Sequence, residues 1–582
     1  MLGVRRIAFV FIAACGSRTP LLAPETDASV IEDASSHGDG PITDACTTHC
    51  SDDLHQVLDC HGNVVQDCPD NQGCDGTGCS EACFAAEQHQ STIGCEYYAI
   101  NPDSIDNGLG GCFAVFVANT WTTPVAIGVD RDGTIFDPST FARLPQGSGQ
   151  SLKYKPLGGD VLQPGEVAIL FLAHTDQQGS DGVACPKGIA PAITQVDPAV
   201  HGTGRGHAFH ITSSAPVVAY QIFPYGGGPS AITAASLLLP TAPHANNFVA
   251  VAGYEHSVMS DGNPSLTIVA TQNATSVTIN PTNAISAGKN VAGSLANVPV
   301  TYTMSAGDLL QITQQEPLTG SIIQADHPIA VWGGSTCMNI DISDVYCDVG
   351  SQQLPPIRTL GSEYVAVRYR KRYDGGPEEV VPWRFVGIVD GTTLTFDPPV
   401  ASAPATLNRG QLALVWTPGP FVVHSQDAAH PFYLAGHMTS SHNAYAGGDS
   451  ERGDPEYVNV VPAKQFLPSY TFFTDPTYPE TNLVIVRNGS SDVHLDCAGN
   501  LSGWQNIGSS GYQFTRIDLV RHNFAPQNGC DNGRHVMTSS SPFGLTVWGW
   551  GTEETSTFTK NVSYAYPAGA SISPINDVVV KP

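Results

Sequence analysis

The sequence predicts an all-β protein of tandem β-sandwich-like repeats preceded by a small disulfide-rich module. From about Gly94 onward, apolar runs alternate with turn residues, a pattern typical of short β-strands. Three sequence phrases then recur in one order, about 100 to 115 residues apart, which indicates internal repeats. A unit of that length suits one β-sandwich or two propeller blades. Alternation alone does not separate these architectures, so a single β-propeller-like ring is the alternative.

The first fifteen residues predict a bacterial lipoprotein signal. Two arginines precede the short apolar run Ile7–Ala14, and Cys15 follows small residues. The run is too short to span a bilayer. Ile12-Ala13-Ala14-Cys15 resembles a lipobox, in which the cysteine thiol is acylated and the signal is cut off before it. We therefore predict lipidation at Cys15 and anchoring of the exported chain at the outer membrane or cell surface. An ordinary signal peptide with a chance cysteine is the alternative.

Two segments precede the repeats. Residues 16–45 are acidic and rich in small side chains, so they cannot bury enough apolar surface to fold and are predicted to be a disordered tether. Residues 46–90 form the predicted disulfide-rich module, in which cysteines compensate for a missing core. Zinc binding is the alternative there, but the cysteine spacings lack a repeated CxxC pair and export favours disulfides.

The cysteine count agrees with an oxidising compartment. The chain has 15 Cys, and setting Cys15 aside leaves an even number that can pair. We expect within-repeat disulfides between Cys337 and Cys347 and between Cys497 and Cys530. The partners of the ten cysteines in the N-terminal region stay open at this point.

Four repeats are predicted, over residues 91–242, 243–357, 358–465 and 466–582. The first phrase, usually a polar residue, any residue and a proline before an apolar strand, has its prolines at Pro216, Pro328, Pro431 and Pro542. Each proline suits the first position of a strand, where no ladder hydrogen bond is lost.

The other two phrases follow the first in the same order. The second is a Leu/Val-Pro pair before an aromatic-led strand, which begins at Phe248, Tyr364 and Tyr470. The third is interpreted as a hairpin with the turns Asn273-Ala274-Thr275, Asp390-Gly391-Thr392 and Asn488-Gly489-Ser490. Such residues tolerate the positive φ that tight hairpin turns require.

The charge balance argues against two classes of partner. Asp+Glu 53 against Lys+Arg 25 gives a formal net charge of -28. An acidic chain of this kind is repelled by nucleic acid and by anionic lipid, whereas cations are attracted to it.

One acidic loop is a candidate calcium site. Asn339, Asp341, Asp344 and Asp348 lie in or beside the loop that a Cys337–Cys347 bond would close, and hard oxygen ligands on a stapled loop suit Ca²⁺. The alternative interpretation of this loop is a solvated turn without a bound ion. A weaker candidate is formed by Asp130, Asp132 and Asp137 around Gly133, although Asp-x-Asp-Gly is also an ordinary hairpin turn. No other cofactor is expected.

The sequence favours binding over catalysis. HExxH, Gly-x-Ser-x-Gly and Walker motifs are absent from the sequence, so the common metalloprotease, hydrolase and NTPase signatures are missing. Trp332, Trp548 and Trp550 lie at the same point in their repeats, which favours core packing over ligand contact. We therefore expect a protein that is not an enzyme.

These phrases resemble the IgGFc-binding protein N-terminal domain family. The resemblance is carried by Ala330-Val331-Trp332-Gly333-Gly334-Ser335-Thr336-Cys337, Cys347-Asp348, Gln353-Leu354-Pro355-Pro356 and Tyr364-Val365, with Ile93–Ala99 like the family's opening and Ser563–Gly569 like its closing segment. It covers about Ser91 to Ile575. Val349 stands where the family usually has a histidine. The resemblance implies extracellular recognition or adhesion, without catalytic residues to carry over and without the antibody binding of the namesake.

Taken together, these features predict a lipid-anchored bacterial surface protein that recognises an extracellular glycan or protein through the loops of its β-repeats. One alternative is a secreted glycan-active hydrolase with paired carboxylates, and another is a purely structural envelope protein. Two carboxylates facing each other across one cleft would favour the hydrolase, and carboxylates dispersed over separate loops would favour recognition.

Overall fold

The structure is a computed structural model that describes residues 47–176, 183–227, 230–242, 244–255, 257–340, 346–374, 378–441, 452–552, 559 and 561–582. The signal with Cys15, the tether at 16–45 and Cys46 lie outside the described residues, as do Asp341 and Asp344 of the predicted calcium loop. Nearly all regular structure in the described chain is β-strand, so the predicted all-β class is confirmed. Among these residues, no helix has the length and apolar character that crossing a bilayer requires.

The disulfide-rich module contains two small sheets and one helix. Its elements are β1 (His49–Cys50), β2 (Gln56–Leu58), β3 (Val64–Asp67), β4 (Gln72–Cys74), β5 (Cys79–Glu81) and α1 (Ala82–His89). The bonds Cys50–Cys74 and Cys68–Cys79 lie within it, and Cys83–Cys95 joins it to repeat 1. The indole N–H of Trp121 in repeat 1 also donates to the carbonyl oxygen of Asp70, at 2.8 Å. The module is therefore fixed to the first repeat.

Repeats 1 and 2 contain the next nineteen strands and one short helix. Repeat 1 has β6 (Gly94–Ala99), β7 (Phe113–Asn119), β8 (Val125–Arg131), β9 (Thr134–Phe136), α2 (Pro138–Phe141), β10 (Ala142–Gln146), β11 (Lys153–Pro156), β12 (Val161–Leu162), β13 (Val167–Ala173), β14 (Gly204–His207), β15 (Phe209–Phe223) and β16 (Ala234–Leu237). Repeat 2 has β17 (Asn247–Val249), β18 (Pro264–Ala270), β19 (Thr275–Asn280), β20 (Val300–Met304), β21 (Asp308–Thr313), β22 (Ile322–Ala325), β23 (Ile329–Met338) and β24 (Asp348–Gln353).

Repeats 3 and 4 contain the remaining described strands. Repeat 3 has β25 (Glu363–Ala366), β26 (Val381–Gly387), β27 (Thr392–Asp397), β28 (Thr406–Leu407), β29 (Leu412–Thr417), β30 (Phe421–Ser425), β31 (Phe432–Met438) and β32 (Glu456–Asn459). Repeat 4 has β33 (Leu467–Phe473), β34 (Glu480–Asn488), β35 (Val493–Leu495), β36 (Gly499–Asn500), β37 (Gln505–Asn506), β38 (Tyr512–Arg521), β39 (Ala525–Pro526), β40 (Arg534–Trp550) and β41 (Ser563–Pro567).

Repeats 2 and 3 are β-sandwiches of two sheets each. In repeat 2, the sheets β14-β21-β18-β23-β24 and β17-β22-β19-β20 share a core that contains Ile268 from the first and Ile279 from the second. Repeat 1 contributes the edge strand β14, which pairs with β21. In repeat 3, the sheets β29-β26-β31-β32 and β25-β30-β27-β28 meet at Phe385 and Val423. Repeats 1 and 4 have larger continuous sheets because β15 and β40 each pair with strands of both layers.

The proline of the first phrase marks the point where the chain passes from one layer of a sandwich to the other. Pro328 stands between β22 and β23, and Pro431 stands between β30 and β31, and the two strands of each pair belong to different sheets. Pro216 and Pro542 instead lie inside β15 and β40, at shifts in the pairing register. Each proline, which has no backbone N–H to donate, therefore lies where sheet pairing is interrupted.

Tyrosine hydroxyl groups hold these crossing points. Those of Tyr97, Tyr364 and Tyr470 donate to the carbonyl oxygens of Val217, Phe432 and Phe543, respectively. Each acceptor residue directly follows a proline of the first phrase. In repeats 3 and 4, the aromatic position of the second phrase is thus tied to the first phrase of the same repeat.

The third phrase is not a hairpin, and this prediction is wrong. β18 and β19 lie in different sheets, as do β26 and β27, while β34 and β35 do not pair with each other. The positive φ expected at these turns is nevertheless present, because Ala274, Gly391 and Gly489 have φ of 59°, 71° and 76°. An alternating strand buries one face equally well against the opposite sheet of a sandwich, so alternation does not reveal whether it pairs back or crosses over.

The four repeats close into a ring around a common axis. The last strand of each repeat, namely β16, β24, β32 and β41, contacts the inner strands on both sides of it. Each of these four inner strands has a neighbour in its own sheet along only one of its two edges. The backbone N–H and C=O groups along its other edge have no strand of that sheet to pair with. The protein thus combines both predicted architectures, because sandwich-like repeats are arranged in a ring.

Residues 571–580, here called the strap, run from repeat 4 across other parts of the ring. The backbone N–H of Ile572 donates to the carbonyl oxygen of Gln90 at 2.7 Å, and that of Ile575 donates to Arg358 in repeat 3 at 2.8 Å. Val580 then donates to the side-chain oxygen of Asn247 in repeat 2 at 2.9 Å. The strap therefore adds a second connection between repeats.

Candidate functional site

Gln352 joins all four repeats at the ring axis. Its side chain, on β24, is 1% exposed. The side-chain nitrogen shares its two hydrogens among the carbonyl oxygens of Ala235 in β16 at 2.7 Å, Tyr457 in β32 at 2.9 Å and Ala565 in β41 at 3.0 Å. These three carbonyl groups belong to the rows that sheet pairing leaves over. One amide therefore supplies a donor to each of the other repeats.

Three carboxylates lie at the start of the inner strands. Asp348, Asp454 and Glu456 are 0%, 1% and 0% exposed. Asp348 accepts a hydrogen bond from the backbone N–H of Thr233 in repeat 1. Glu456 accepts one from its neighbour Tyr457 at 2.7 Å. The axis is thus acidic at this level.

Burial and mutual repulsion disfavour the charged forms of these groups. Burial raises the pKa of Asp348 well above its usual value, and the negative charge of Asp454 raises it further. Burial likewise raises the pKa of Glu456, although nearby backbone N–H groups partly offset this effect. Arg372 reaches the carbonyl oxygen of Gly453 at 3.0 Å, but it is itself paired with Glu379 at 2.5 Å.

Asn339, predicted as a calcium ligand, organises a loop through hydrogen bonds. Its side-chain oxygen accepts from the hydroxyl group of Ser257 at 2.7 Å and from the backbone N–H of Val258 at 3.0 Å. Its side-chain nitrogen donates to the carbonyl oxygen of Tyr346 at 2.8 Å. The loop that it holds exposes two apolar side chains, Val258 at 43% and Met259 at 39%.

The structure describes two of the four residues predicted to bind calcium. Asp348 lies at the axis and Asn339 lies beside the loop that contains Val258, while Asp341 and Asp344 fall outside the described residues. Binding of Ca²⁺ by these four residues stays a prediction. Both disulfides expected within the repeats, Cys337–Cys347 and Cys497–Cys530, are present.

The weaker acidic candidate is a turn with separate hydrogen bonds. Asp130 pairs with the imidazole of His210 at 2.9 Å, whereas Asp137 accepts from the backbone N–H of Ser139 at 2.9 Å at the start of α2. Asp132 and Gly133 both have positive φ between β8 and β9. This is the ordinary hairpin turn that the sequence offered as the alternative.

Other polar clusters among the described residues are paired internally. Asp496 and His535 lie 3.0 Å apart beside Cys497, but that cysteine is bonded to Cys530 and offers no thiolate. Arg370 pairs with Glu480 and with Asp518 between repeats 3 and 4. These groups join parts of the fold.

The three tryptophans expected in the core are buried. Trp332, Trp548 and Trp550 are 1%, 2% and 0% exposed, as the repeat alignment predicts. These three side chains are thus part of the packing and are not exposed to a ligand.

Sequence reasoning missed Gln352, Asp454 and Glu456. Each lies within a few residues of a Leu/Val-Pro pair of the second phrase, so an alignment of the repeats on that pair would have placed them beside Asp348. The missing information was the closure of the ring, which brings together residues more than 100 positions apart.

Comparisons with known proteins give one informative match. A search of the curated proteins finds no match. Among solved structures, a protein described as an anti-sigma factor domain-containing protein is 10% identical, with 59% of this chain and 82% of that chain covered and a TM-score of 0.10, and this likeness carries no argument. The family model described as IgGFc binding protein matches residues 234–549, more than half of the chain. The chain therefore belongs to the IgGFc-binding protein family.

Proposed function

We propose that this chain is a lipid-anchored surface protein of a bacterium that binds an extracellular protein through loops at the end of the ring where the inner strands begin. Family membership and the six described disulfides indicate an extracellular binding or recognition protein. The lipid anchor, the bacterial surface and the identity of the ligand are the parts that we add.

The observation that carries the proposal is the loop held by Asn339. A fully buried amide accepts two hydrogen bonds from Ser257 and Val258, so the loop is fixed before any ligand arrives. Preorganisation of this kind lowers the entropy cost of binding. Val258 and Met259 then present apolar surface, and Asn339 also bonds to Tyr346, two residues before β24. Methionine suits such a surface because its unbranched side chain adapts to the shape of a partner.

The burial of the axial carboxylates supports recognition of a ligand over hydrolysis of a glycan. A glycosidase needs two carboxylates that reach a sugar in an open cleft. Asp348 and Asp454 do influence each other, but both are buried at the axis, where a sugar has no access. We therefore propose that the protein is not an enzyme.

The ligand is sought with the full exported protein on an array of extracellular proteins and glycans. We expect a protein ligand whose affinity falls about tenfold or more in the double variant Val258→Ser/Met259→Ser, as loss of a central apolar contact would cause. Leu295 and Val298, exposed at 73% and 48% elsewhere in repeat 2, provide a matched control. The variant Leu295→Ser/Val298→Ser should bind normally. Equal binding by both double variants would contradict the proposed surface.

The anchor is tested separately in cells. Metabolic labelling with a palmitate analogue should mark the protein, and Cys15→Ser should abolish the label and release the chain from the membrane fraction. Absence of label from the unchanged protein, or equal labelling of Cys15→Ser, would contradict lipid anchoring at Cys15 but would leave the loop proposal intact.

A further inference from the structure

A polar cleft of about 250 Å³ lies between repeats 1 and 4. Its walls are the paired strands β10 and β11, the loop before β13 and the chain at the start of β40. The polar side chains that line it are Gln146, Lys155 and Glu166 from repeat 1 and Asn532 and Arg534 from repeat 4. Two repeats that are distant in sequence therefore contribute polar groups to one cleft.

Hydrogen bonds fix the two walls relative to each other. Just beyond the end of β10, the hydroxyl group of Ser148 donates to Asp531 Oδ1 at 3.1 Å. The backbone N–H of Gly149 donates to the carbonyl oxygen of Pro476 at 2.8 Å. The cleft is therefore preformed, which lowers the entropy cost of filling it.

Arg534 lines the cleft without an acceptor for its Nε atom, which is buried. A Cβ atom added to Gly165 of repeat 1, where φ is 76°, would lie 3.7 Å from Cζ of Arg534, so the guanidinium group lies against that loop. Burial lowers the pKa of Arg534, and the negative charge of Asp496 offsets this effect in part. Asp496 is itself paired with His535 at 3.0 Å. Arg534 is therefore partly removed from water without a carboxylate of its own.

Lys155 adds a second positive charge at the cleft and is exposed. Within the part of the chain that the structure describes, neither Lys155 nor Arg534 forms an ion pair within 4.0 Å. By contrast, Arg370, Arg372 and Arg384 are each paired with a glutamate. Two unpaired cations in one cleft of so acidic a chain indicate an anionic ligand.

The remaining polar groups restrict the kind of anion. Glu166 Oε2 accepts the backbone N–H of Gln163 at 3.0 Å, and its Oε1 is left to accept from a ligand. A compact anion such as phosphate meets repulsion from Glu166, whereas a ligand with hydroxyl groups at a distance from its charge donates to it. The volume lies slightly below the range of about 300 to 1,000 Å³ for drug-sized ligands, so it suits a single sugar ring.

We propose that this cleft binds a uronic acid residue, a sugar that carries one carboxylate and several hydroxyl groups. The carboxylate lies at Arg534 and Lys155, because a guanidinium fork matches the two oxygens of a carboxylate. The hydroxyl groups donate to Glu166. This site is formed by other residues than the surface at Val258 and Met259, and it adds an acidic glycan to the protein ligand proposed above.

The net charge of -28 does not prevent such binding. At physiological ionic strength the Debye length is about 8 Å, so cations that touch the ligand act more strongly on it than distant carboxylates do. Raising NaCl from about 0.05 M to about 0.5 M should therefore weaken binding about threefold or more. Tighter binding at high salt would mean that repulsion by the whole chain prevails, and it would contradict the proposal.

The test is titration of glucuronic acid into the full exported protein, followed by ligand-observed NMR. We expect a dissociation constant of about 1 mM, as a ligand of this size allows. Glucose, which lacks the carboxylate, and acetate, which lacks the hydroxyl groups, should each bind about tenfold or more weakly. Arg534→Gln should weaken binding of glucuronic acid about tenfold or more. The matched control Arg409→Gln, at an exposed arginine of repeat 3, should bind as the unchanged protein does.

The proposal fails if the unchanged protein does not bind glucuronic acid, or if Arg534→Gln binds it as tightly as Arg409→Gln does. Acetate binding as tight as that of glucuronic acid would also overturn it, because the cleft would then accept any small anion. Thermal unfolding shows whether Arg534→Gln is folded. If it is not, Lys155→Gln, at an exposed side chain, replaces it with an expected loss of about threefold or more in affinity. None of these outcomes bears on the loop at Val258, whose variants are tested on the array.

Discussion

The sandwich cores and the ring axis are both buried, but they are held together by different forces. In repeat 3, Phe385 packs with ring centroids 5.8 Å from Phe396 and 6.4 Å from Phe421, so the contacts of this side chain are apolar. At the axis, Gln352 and Asp348 bond to the backbone of other repeats. The difference follows from topology, because sandwich faces present side chains whereas the inner strands present unpaired backbone edges. A buried edge needs polar partners, and the axis supplies them.

The largest expected effect comes from the apolar side of this comparison. Phe385→Ala removes a 0% exposed ring from the core of repeat 3 and leaves a cavity, so it should lower the free energy of unfolding by about 4 kcal/mol. Chemical denaturation measures this loss. Leu414→Ala on the neighbouring strand, at a side chain that is 40% exposed, should change stability by about 0.5 kcal/mol or less. Equal losses in both variants would contradict the assignment of the core.

The axis should show a somewhat smaller effect through hydrogen bonding alone. Gln352→Met keeps the size of the side chain but removes the donor to Ala235, Tyr457 and Ala565. Each buried carbonyl that loses its partner costs free energy, so the total loss should be about 3 kcal/mol. The exposed Gln195→Met serves as the control in the same denaturation experiment. A loss below about 1 kcal/mol would mean that packing, not bonding, holds the axis.

A third variant should stabilise the protein, and its effect depends on pH. Asp475 is 0% exposed, and burial raises its pKa to about 6 from a usual value near 3.8. The carboxyl group is neutral in both states below about pH 4, and the folded state carries the cost of its charge above about pH 6. Asp475→Asn should therefore raise stability by about 2 kcal/mol at pH 8 and leave it unchanged near pH 4. A destabilised variant at pH 8 would show that the charge is compensated.

The smallest effect is expected at a polar group near the surface. Hydrogen bonds to Asp103 and then Asp197 raise the pKa of His201 to about 10. A raised folded-state pKa gives stability that is complete below about pH 6.5 and is lost as pH rises toward 10. The side chain is 43% exposed, so solvent screening limits the contribution to about 1 kcal/mol. His201→Gln should differ from the unchanged protein at pH 6 and converge with it near pH 10; a constant difference would exclude this ion pair as the cause.

Local sequence signals were reliable where they concern one strand or one turn. The positive φ of Gly391 and Gly489 was readable, because it depends on neighbouring residues. The prolines of the first phrase were expected at the first position of a strand, but Pro216 and Pro542 lie inside β15 and β40. The pairing of strands was not readable. β26 and β27 alternate like a hairpin and yet lie in opposite sheets, since alternation records burial and not hydrogen-bond partners.

The sequence predicted only part of the candidate site at the ring axis, because local patterns do not reveal contacts between repeats. Asp348 was selected from its acidic surroundings and its position beside Cys347, which are local features. Its partners at the axis, Asp454 and Glu456, come from the next repeat and meet it only when the ring closes. Gln352 gave no signal, because a single glutamine in a strand has no pattern until its three acceptors are known.

The strap determines how late in synthesis the protein can finish folding. Val580 bonds to Asn247 across a sequence separation of 333, so a contact of repeat 2 waits for residues made far later in synthesis. Non-local closures of this kind slow folding and leave strand edges open to other chains in the meantime. A chain threaded through a secretion pore in order would thus remain vulnerable to aggregation and proteases until almost its whole length had emerged.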